Sequence, residues 1–265
     1  MPAVKTRGRF VWYELSTSDP AAAQRFYKAI TGWGTQDFPE TDSDTVYTMW
    51  KNGENPVGGV WQLQPELASQ GVPPHWLPYI GTDDVDETVA EATQLGAKVI
   101  VPPKDIPNMG RFAILSDPQG AMFAIYKSNQ DMPDADFNPQ IGEASWHELT
   151  TSNHVAAFDF YSKLFGWEKQ SEMDMGGGEM YLMYGRSADS PMLGGMWTWN
   201  KPEHTMPPNW MIYFKVDDAD KTAERIKQLG GQILNGPMDV PGGDRIAQAM
   251  DPQGAAFGIH SSPKK

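Results

Sequence analysis

The stretch WYELSTSDPAAAQRFYKAITGW (residues 12–33) lies over WHELTTSNHVAAFDFYSKLFGW (146–167), with 11 of 22 positions identical. The offset of 134 returns far downstream, where DPQGAMFAI (117–125) matches DPQGAAFGI (251–259) at 7 of 9 positions. Between these anchors PPHWLPY (73–79) pairs with PPNWMIY (207–213), QLGA (94–97) with QLGG (228–231), and DIP (105–107) with DVP (239–241). VGGVW (57–61) pairs with LGGMW (193–197) at offset 136, so the second copy has gained two residues, which the Gly-rich run MGGGEM (175–180) accommodates as a hairpin tip. Self-similarity at one offset is the signature of a repeated structural unit. One domain is therefore written twice, as residues 8–128 and 142–262. Residues 129–141, within the polar, proline-containing SNQDMPDADFNPQIG (128–142), form the linker.

Each copy divides again. VWYEL alternates as a strand should, and Asp19-Pro20 then supplies a helix N-cap and a proline for the first helical position. Ala22, Phe26 and Ile30 recur at helical spacing and give that helix an apolar stripe. The runs TVYTMW (45–50) and PVGGVWQL (56–63) read as strands, and QPELASQGVPP (64–74) as a loop. The same grammar then restarts: HWLPYIG is a strand, Asp84 with Glu87 is a capping box opening a helix through Leu95, and AKVIV, RFAIL and AMFAIY are three more strands. Each half is thus βαβββ twice. The expected class is α+β, with a curved, mostly antiparallel sheet in each half and helices on its convex face. The concave face is left for a ligand.

Composition narrows the function. The 265 residues include no cysteine, which removes disulfides, thiolate metal sites, iron–sulfur clusters and cysteine nucleophiles together. With 34 acidic against 21 basic side chains the net charge is −13, which argues against nucleic acid or an anionic membrane as partner. No apolar run reaches the roughly 18 residues of a membrane span, and no apolar segment follows the basic residues near the start. A cytoplasmic protein, monomeric or homodimeric, is expected. The triple glycine 176–178 lacks the Lys-Ser/Thr of a phosphate loop, and neither a GxSxG elbow nor an HExxH pair occurs.

The strand–Asp–helix–FY–GW blocks at 12–33 and 146–167, the DDVD (83–86) and DDAD (217–220) helix starts and the two DPQGA strands resemble the vicinal oxygen chelate superfamily, also called the glyoxalase/bleomycin resistance/dioxygenase fold. The two-domain arrangement resembles the mycobacterial 27-kDa antigen group, often labelled glyoxalase-like or hydroxylase. The resemblance implies tandem glyoxalase-like domains and, in the superfamily's enzymes, a divalent metal held by His, Gln or Glu at four strand positions. Registering on the shared blocks places Trp12 and Trp146, Leu77 and Met211, and Ala124 and Gly258 at three of them. The fourth falls in 57–63 or 193–199, where no His or Glu occurs. Such groups do not ligate a hard or borderline divalent ion. A register slip of two residues offers Glu14 with His75 in one cleft and Glu148 with His260 in the other. Two ligands fall short of the three that catalytic zinc sites use. No metal and no cofactor are therefore expected. His147 reads as a core histidine, His154 as a helix start and His204 as part of a polar loop.

Glu14 and Glu148 are the most informative polar residues, each inside a strand on the face of Trp12 or Trp146. A carboxylate among aromatic rings suits a general base for a proton beside a carbonyl. The competing account is a salt bridge, because Arg111 and Arg245 occupy equivalent strand positions and suit bidentate pairing. The bridge is the favoured expectation, and an Arg-bound carboxylate is a poor base. Trp12, Trp50, Trp61, Trp76 and Tyr126 are candidates to line one cup; Trp146, Trp197, Trp199, Trp210 and Met211 the other. About half of these tryptophans are expected to be plain core. The leading expectation is a metal-independent protein that binds a small hydrophobic or aromatic molecule, for sequestration or sensing. The alternatives are a glyoxalase-like lyase/isomerase or hydroxylase using Glu14 or Glu148 as base, and a scaffold whose cups are plugged by their own tryptophans.

Overall fold

A computed structural model of the chain describes residues 6–39, 46–130, 137–199 and 206–263. β1 (Phe10–Thr17) leads into α1 (Pro20–Thr31) and then β2 (Gly34–Pro39), β3 (Val46–Asn52) and β4 (Asn55–Gln62). After a short helix α2 (Pro65–Ser69) come β5 (His75–Gly81), α3 (Val85–Gln94), β6 (Lys98–Ile106), β7 (Gly110–Ser116) and β8 (Met122–Ser128). The second half repeats the order with β9 (Ala144–Thr151), α4 (His154–Phe165), β10 (Glu168–Asp174), β11 (Met180–Gly185) and β12 (Met192–Thr198). It closes with β13 (Asn209–Lys215), α5 (Ala219–Gln228), β14 (Gln232–Asp239), β15 (Arg245–Met250) and β16 (Ala256–Ser261). These are the four βαβββ units that the repeats predict. Helix α2 is the departure: the expected loop makes a five-residue helix that buries no side chain, too short to leave a periodic signal.

The strands form two eight-stranded sheets of one topology, β2-β3-β4-β1-β5-β8-β7-β6 and β10-β11-β12-β9-β13-β16-β15-β14. β1 with β4, β5 with β8, β9 with β12 and β13 with β16 run parallel, and the hairpin neighbours run antiparallel. The four longer helices start at Asp19, Asp84, Asn153 and Asp218, whose side chains accept from the N–H three residues on. Gly32 and Gly166 of the GW pairs end α1 and α4 in the left-handed region, at φ 81° and 74°. Among the described residues, no helix is long and apolar enough to cross a membrane.

Two compact units emerge, and each joins a βαβββ unit of one repeat to a βαβββ unit of the other. One comprises the chain up to Val11 with Pro78–Asn138 and Trp146–Trp210; the other comprises Trp12–Leu77, Pro139–Ser145 and the chain from Met211. In the first, Tyr161 of the FY pair donates its hydroxyl to Asp117 of the DPQG turn at 3.1 Å, and Trp210 donates its indole N–H to Tyr161 at 3.1 Å. The other Asp117 oxygen gathers the N–H groups of Gln119, Gly120 and Ala121 at 2.7–2.9 Å. In the second unit Tyr27 donates to Asp251 at 3.1 Å and Trp76 to Tyr27 at 2.9 Å. The blocks that betray the repeat thus meet in one buried Trp–Tyr–Asp chain per unit, with the Tyr and the Asp from different repeats. Burial drives both tyrosine pKa values well up and also raises Asp117 and Asp251, against their hydrogen bonds.

Around these chains lie the cores. Phe123, Phe160, Phe165, Trp167 and Tyr184 pack in the first unit. In the second, Trp33 sits 4.9 Å from Phe214 and 5.4 Å from Trp50, and Trp76 lies 5.1 Å from Phe214, ring centre to ring centre.

Candidate functional site

The alternation of β9 decides what faces where. His147, Leu149 and Thr151 share one face, Trp146, Glu148 and Thr150 the other. His147 is fully buried, its Nδ1 lies 2.7 Å from the Leu193 carbonyl, and its ring stacks on Phe10 at 3.6 Å. Burial pushes its pKa down to about 3, so it is a neutral core histidine, as the sequence suggests.

On the other face, Glu148 stands opposite Gly195 and Thr150 opposite Trp197 of β12. Tyr181 of β11 stands opposite Trp197, and Met183 opposite Gly195. Trp146 donates its indole N–H to the Tyr181 hydroxyl at 2.7 Å, and Tyr181 donates in turn to Glu148 at 3.0 Å. Glu148 is 7% exposed. A Cβ on Gly195 would collide with the Tyr181 ring, so the strand glycine is the space into which the tyrosine folds. Trp197 stacks on Trp199 at 5.2 Å and 21°. Where β9 ends, a pocket of about 180 Å³ is lined by Thr150, Thr151, Ser152, Trp199, Met206 and Pro208. Among the described residues, the buried Thr151 hydroxyl has no hydrogen-bond partner.

The first repeat builds the same chain in the other unit. Trp12 donates to Tyr47 at 3.0 Å, and Tyr47 reaches Glu14 at 3.5 Å, with Gly59 leaving room for the ring. Beyond it the copies diverge. Trp61 donates to Ser16 at 2.7 Å, and buried Leu63 stands at the position of Trp199.

The expected Arg–Glu bridges do not form. Arg111 clasps Asp86 at 2.8 and 3.0 Å and Asp105 at 2.8 Å. Arg245 does the same with Asp220 at 2.6 and 2.8 Å and Asp239 at 2.8 Å. These aspartates lie in the first turn of a helix and at the end of the neighbouring strand, so two local carboxylates claim each guanidinium, and they hold it further above its ordinary pKa. Of the other candidates, His75 turns its Nδ1 to the Pro73 carbonyl at 2.9 Å, and Tyr126 donates to the Met109 carbonyl at 2.8 Å. Met211 is buried, and His260 sits between Ser145 at 2.9 Å and Asp244 at 3.2 Å. Trp50, Trp76 and Trp210 belong to the cores and not to a cup, since each is at most 5% exposed. His154 caps against Thr198 at 2.7 Å, and His204 lies outside the described residues. Tyr47 and Tyr181 are the functional candidates that sequence reasoning missed. The available signal was a tyrosine repeated at offset 134, on the strand before each Gly-Gly pair; because β11 keeps that offset and β12 shifts to 136, the two extra residues lie in the β11–β12 turn and not in the MGGGEM run where the sequence places them.

The residues at the implied metal positions do not fit a metal. Indole, thioether, methyl and glycine are poor partners for a divalent ion. Among the described residues, no group of three or more His, Asp or Glu side chains comes together as a metal site.

A βαβββ unit repeated four times into two eight-stranded sheets defines a class, and the chain belongs to the glyoxalase/bleomycin resistance protein/dioxygenase superfamily. That superfamily's description matches residues 143–259, and the glyoxalase-like domain description matches residues 12–126. Among particular relatives, CFP32 of Mycobacterium tuberculosis, named as a glyoxylase, is 34% identical over 248 residues, covering 94% of this chain and 92% of CFP32. The anthracycline biosynthesis protein DnrV of Streptomyces peucetius is 30% identical over 262 residues, covering 95% and 92%. The Mn(II)-bound glyoxalase of Novosphingobium aromaticivorans shares the fold, with a TM-score of 0.62 and 19% identity over 99% of this chain and 84% of that one.

Proposed function

We propose that this chain is a metal-independent small-molecule-binding protein that holds a small hydrophobic or aromatic ligand against the second-repeat face. The observation that carries this reading is the pocket of about 180 Å³ at the end of β9, where three hydroxyl side chains face Trp199, Met206 and Pro208, and Trp199 stacks on Trp197. An apolar, aromatic surface with a few placed polar groups is the usual make-up of a small-molecule site. DnrV is named for anthracycline biosynthesis, and this favours an aromatic ligand. Tryptophan at the first implied metal position of each copy supports binding by stacking in place of chelation. The chemistry would serve sequestration or sensing.

A thermal-shift series with naphthalene-sized aromatic probes and ketoaldehydes tests this, because a ligand specific for the native state raises apparent stability. The expected result is a saturable rise in Tm that EDTA leaves unchanged, on protein whose metal content is far below one per chain. A full equivalent of zinc, nickel, iron or manganese per domain, with binding lost to EDTA, would overturn it.

One observation favours an enzymatic reading beside it. The arginines expected to neutralise Glu148 are held by aspartates, so the quenching bridge is not made. Glu148 would then act as general base in a lyase or isomerase reaction. Retained binding with lost turnover in Glu148→Gln is the expected outcome of that reading.

A further inference from the structure

The end of β9 differs from the end of β1 by one hydrogen bond, and the difference narrows the ligand. In the first repeat Ser16 accepts the indole N–H of Trp61 at 2.7 Å. Thr150 and Trp197 stand at the same two positions and are register partners on β9 and β12, but Trp197 stacks on Trp199 instead. Thr150 lines the pocket at 8% exposure, and among the described residues its hydroxyl has no hydrogen-bond partner. The Thr151 hydroxyl is likewise unpartnered among the described residues, yet so is that of Thr17 in the first repeat. That second feature belongs to the shared scaffold and carries no ligand preference.

A hydroxyl has one proton to give. Held largely away from water with no acceptor, that proton is costly, and a ligand oxygen that accepts it removes the cost. The rest of the lining decides what carries the oxygen. Trp199, Met206 and Pro208 offer ring and apolar surface. The volume of about 180 Å³ matches about six water molecules of the liquid, room for a small ring system. The net charge of −13 sets a field against an anionic acceptor such as a carboxylate.

We propose that the ligand of this pocket is an uncharged aromatic carbonyl compound, a ketone or aldehyde, whose oxygen accepts from Thr150 and whose ring lies against Trp199. The inference rests on the reading of this pocket as a ligand site, and it adds the group that the ligand must present. In the first repeat Trp61 caps Ser16 and Leu63 stands in place of Trp199, so the carbonyl is assigned to the second repeat.

The test uses two probes of nearly equal shape, 2-acetylnaphthalene and 2-isopropenylnaphthalene, in equilibrium dialysis against the full chain at neutral pH. They share one apolar body, and a methylene of the second stands where the first carries its oxygen. The expected result is a preference for the ketone of about fivefold, from one hydrogen bond that the hydrocarbon does not make. In Thr150→Val, which keeps the branched shape and removes the hydroxyl, the preference is expected to fall to about twofold or less. Ser16→Ala, at the corresponding position of the other repeat, is expected to leave it in full. Equal affinity, or a preference for the hydrocarbon, in the unaltered protein would overturn the inference while leaving an aromatic-binding pocket intact. Absence of binding by both probes would overturn the inference and the reading beneath it. The comparison of probes on the unaltered chain stands whether or not the variants fold.

Discussion

The first and second repeats carry the same Trp–Tyr–Glu chain on corresponding faces, and they part at its far end. In the first, Tyr47 and Glu14 are at the 3.5 Å limit of a hydrogen bond, Trp61 is pinned by Ser16, and an aliphatic side chain follows. In the second, the Tyr181–Glu148 bond is 3.0 Å, Thr150 replaces Ser16, and Trp197 stacks on Trp199 beside a pocket. The duplicated part is what shapes the strand and seats the tyrosine. The divergent part is what a ligand would touch. Duplication thus kept a scaffold twice, and the copies differ where β1 and β9 end.

Placing a valine at Gly195 should have the largest effect, because the added side chain meets the Tyr181 ring. Gly195→Val is expected to lose about 1–3 kcal/mol of stability by overpacking and to abolish binding of aromatic probes, read by urea unfolding and calorimetry. Gly59→Val should cost similar stability while sparing binding. A reversed pattern would move the site to the first repeat.

His147 offers a second asymmetry, since Tyr13 takes its place in the first repeat. The unfolded chain binds a proton at this histidine below about pH 6.5, whereas the native pKa is about 3. The stabilisation is therefore complete above the unfolded pKa and is lost as pH falls toward the native one. Each pH unit within that window is worth up to about 1.4 kcal/mol. Urea unfolding midpoints of His147→Phe should fall less steeply between pH 6.5 and 4.5 than those of the unaltered protein; parallel curves would show that His147 is not the group responsible.

The cores should behave alike. Tyr27→Phe and Tyr161→Phe each take a donor from a buried aspartate and are expected to cost about 1–3 kcal/mol apiece. A large cost at one and none at the other would break the equivalence of the two Trp–Tyr–Asp chains. The smallest effect is expected from Ser16→Ala, about 0.5–1.5 kcal/mol for the lost Trp61 bond. Combined with Leu63→Trp, it should give the first repeat a weak second site for the same probes, visible as a second binding event.

Much of this architecture can be read along the chain because it is local. Asp19, Asp84, Asn153 and Asp218 announce helices by capping, and Gly32 and Gly166 end two of them. The FY and DPQG blocks are visible as repeats, yet their union is not, because Tyr161 and Asp117 are 44 residues apart and Tyr27 and Asp251 are 224 apart. The Arg–Glu expectation failed for a related reason. Arg111 finds Asp86 and Asp105, 25 and 6 residues away, before anything more distant. Tyr47 and Tyr181 were hidden because their role depends on register across three strands, which a glycine opposite them makes possible and which no single stretch displays.

The proposed ligand face is that of the second repeat. Amide hydrogen exchange of the full chain, with and without a saturating naphthalene-sized aromatic probe, tests it without altering a residue. Slower exchange is predicted in peptides covering 146–152, 180–185 and 192–199, with peptides covering 10–17, 46–52 and 55–63 unchanged. Protection confined to the first-repeat peptides, or equal in both sets, would contradict the account.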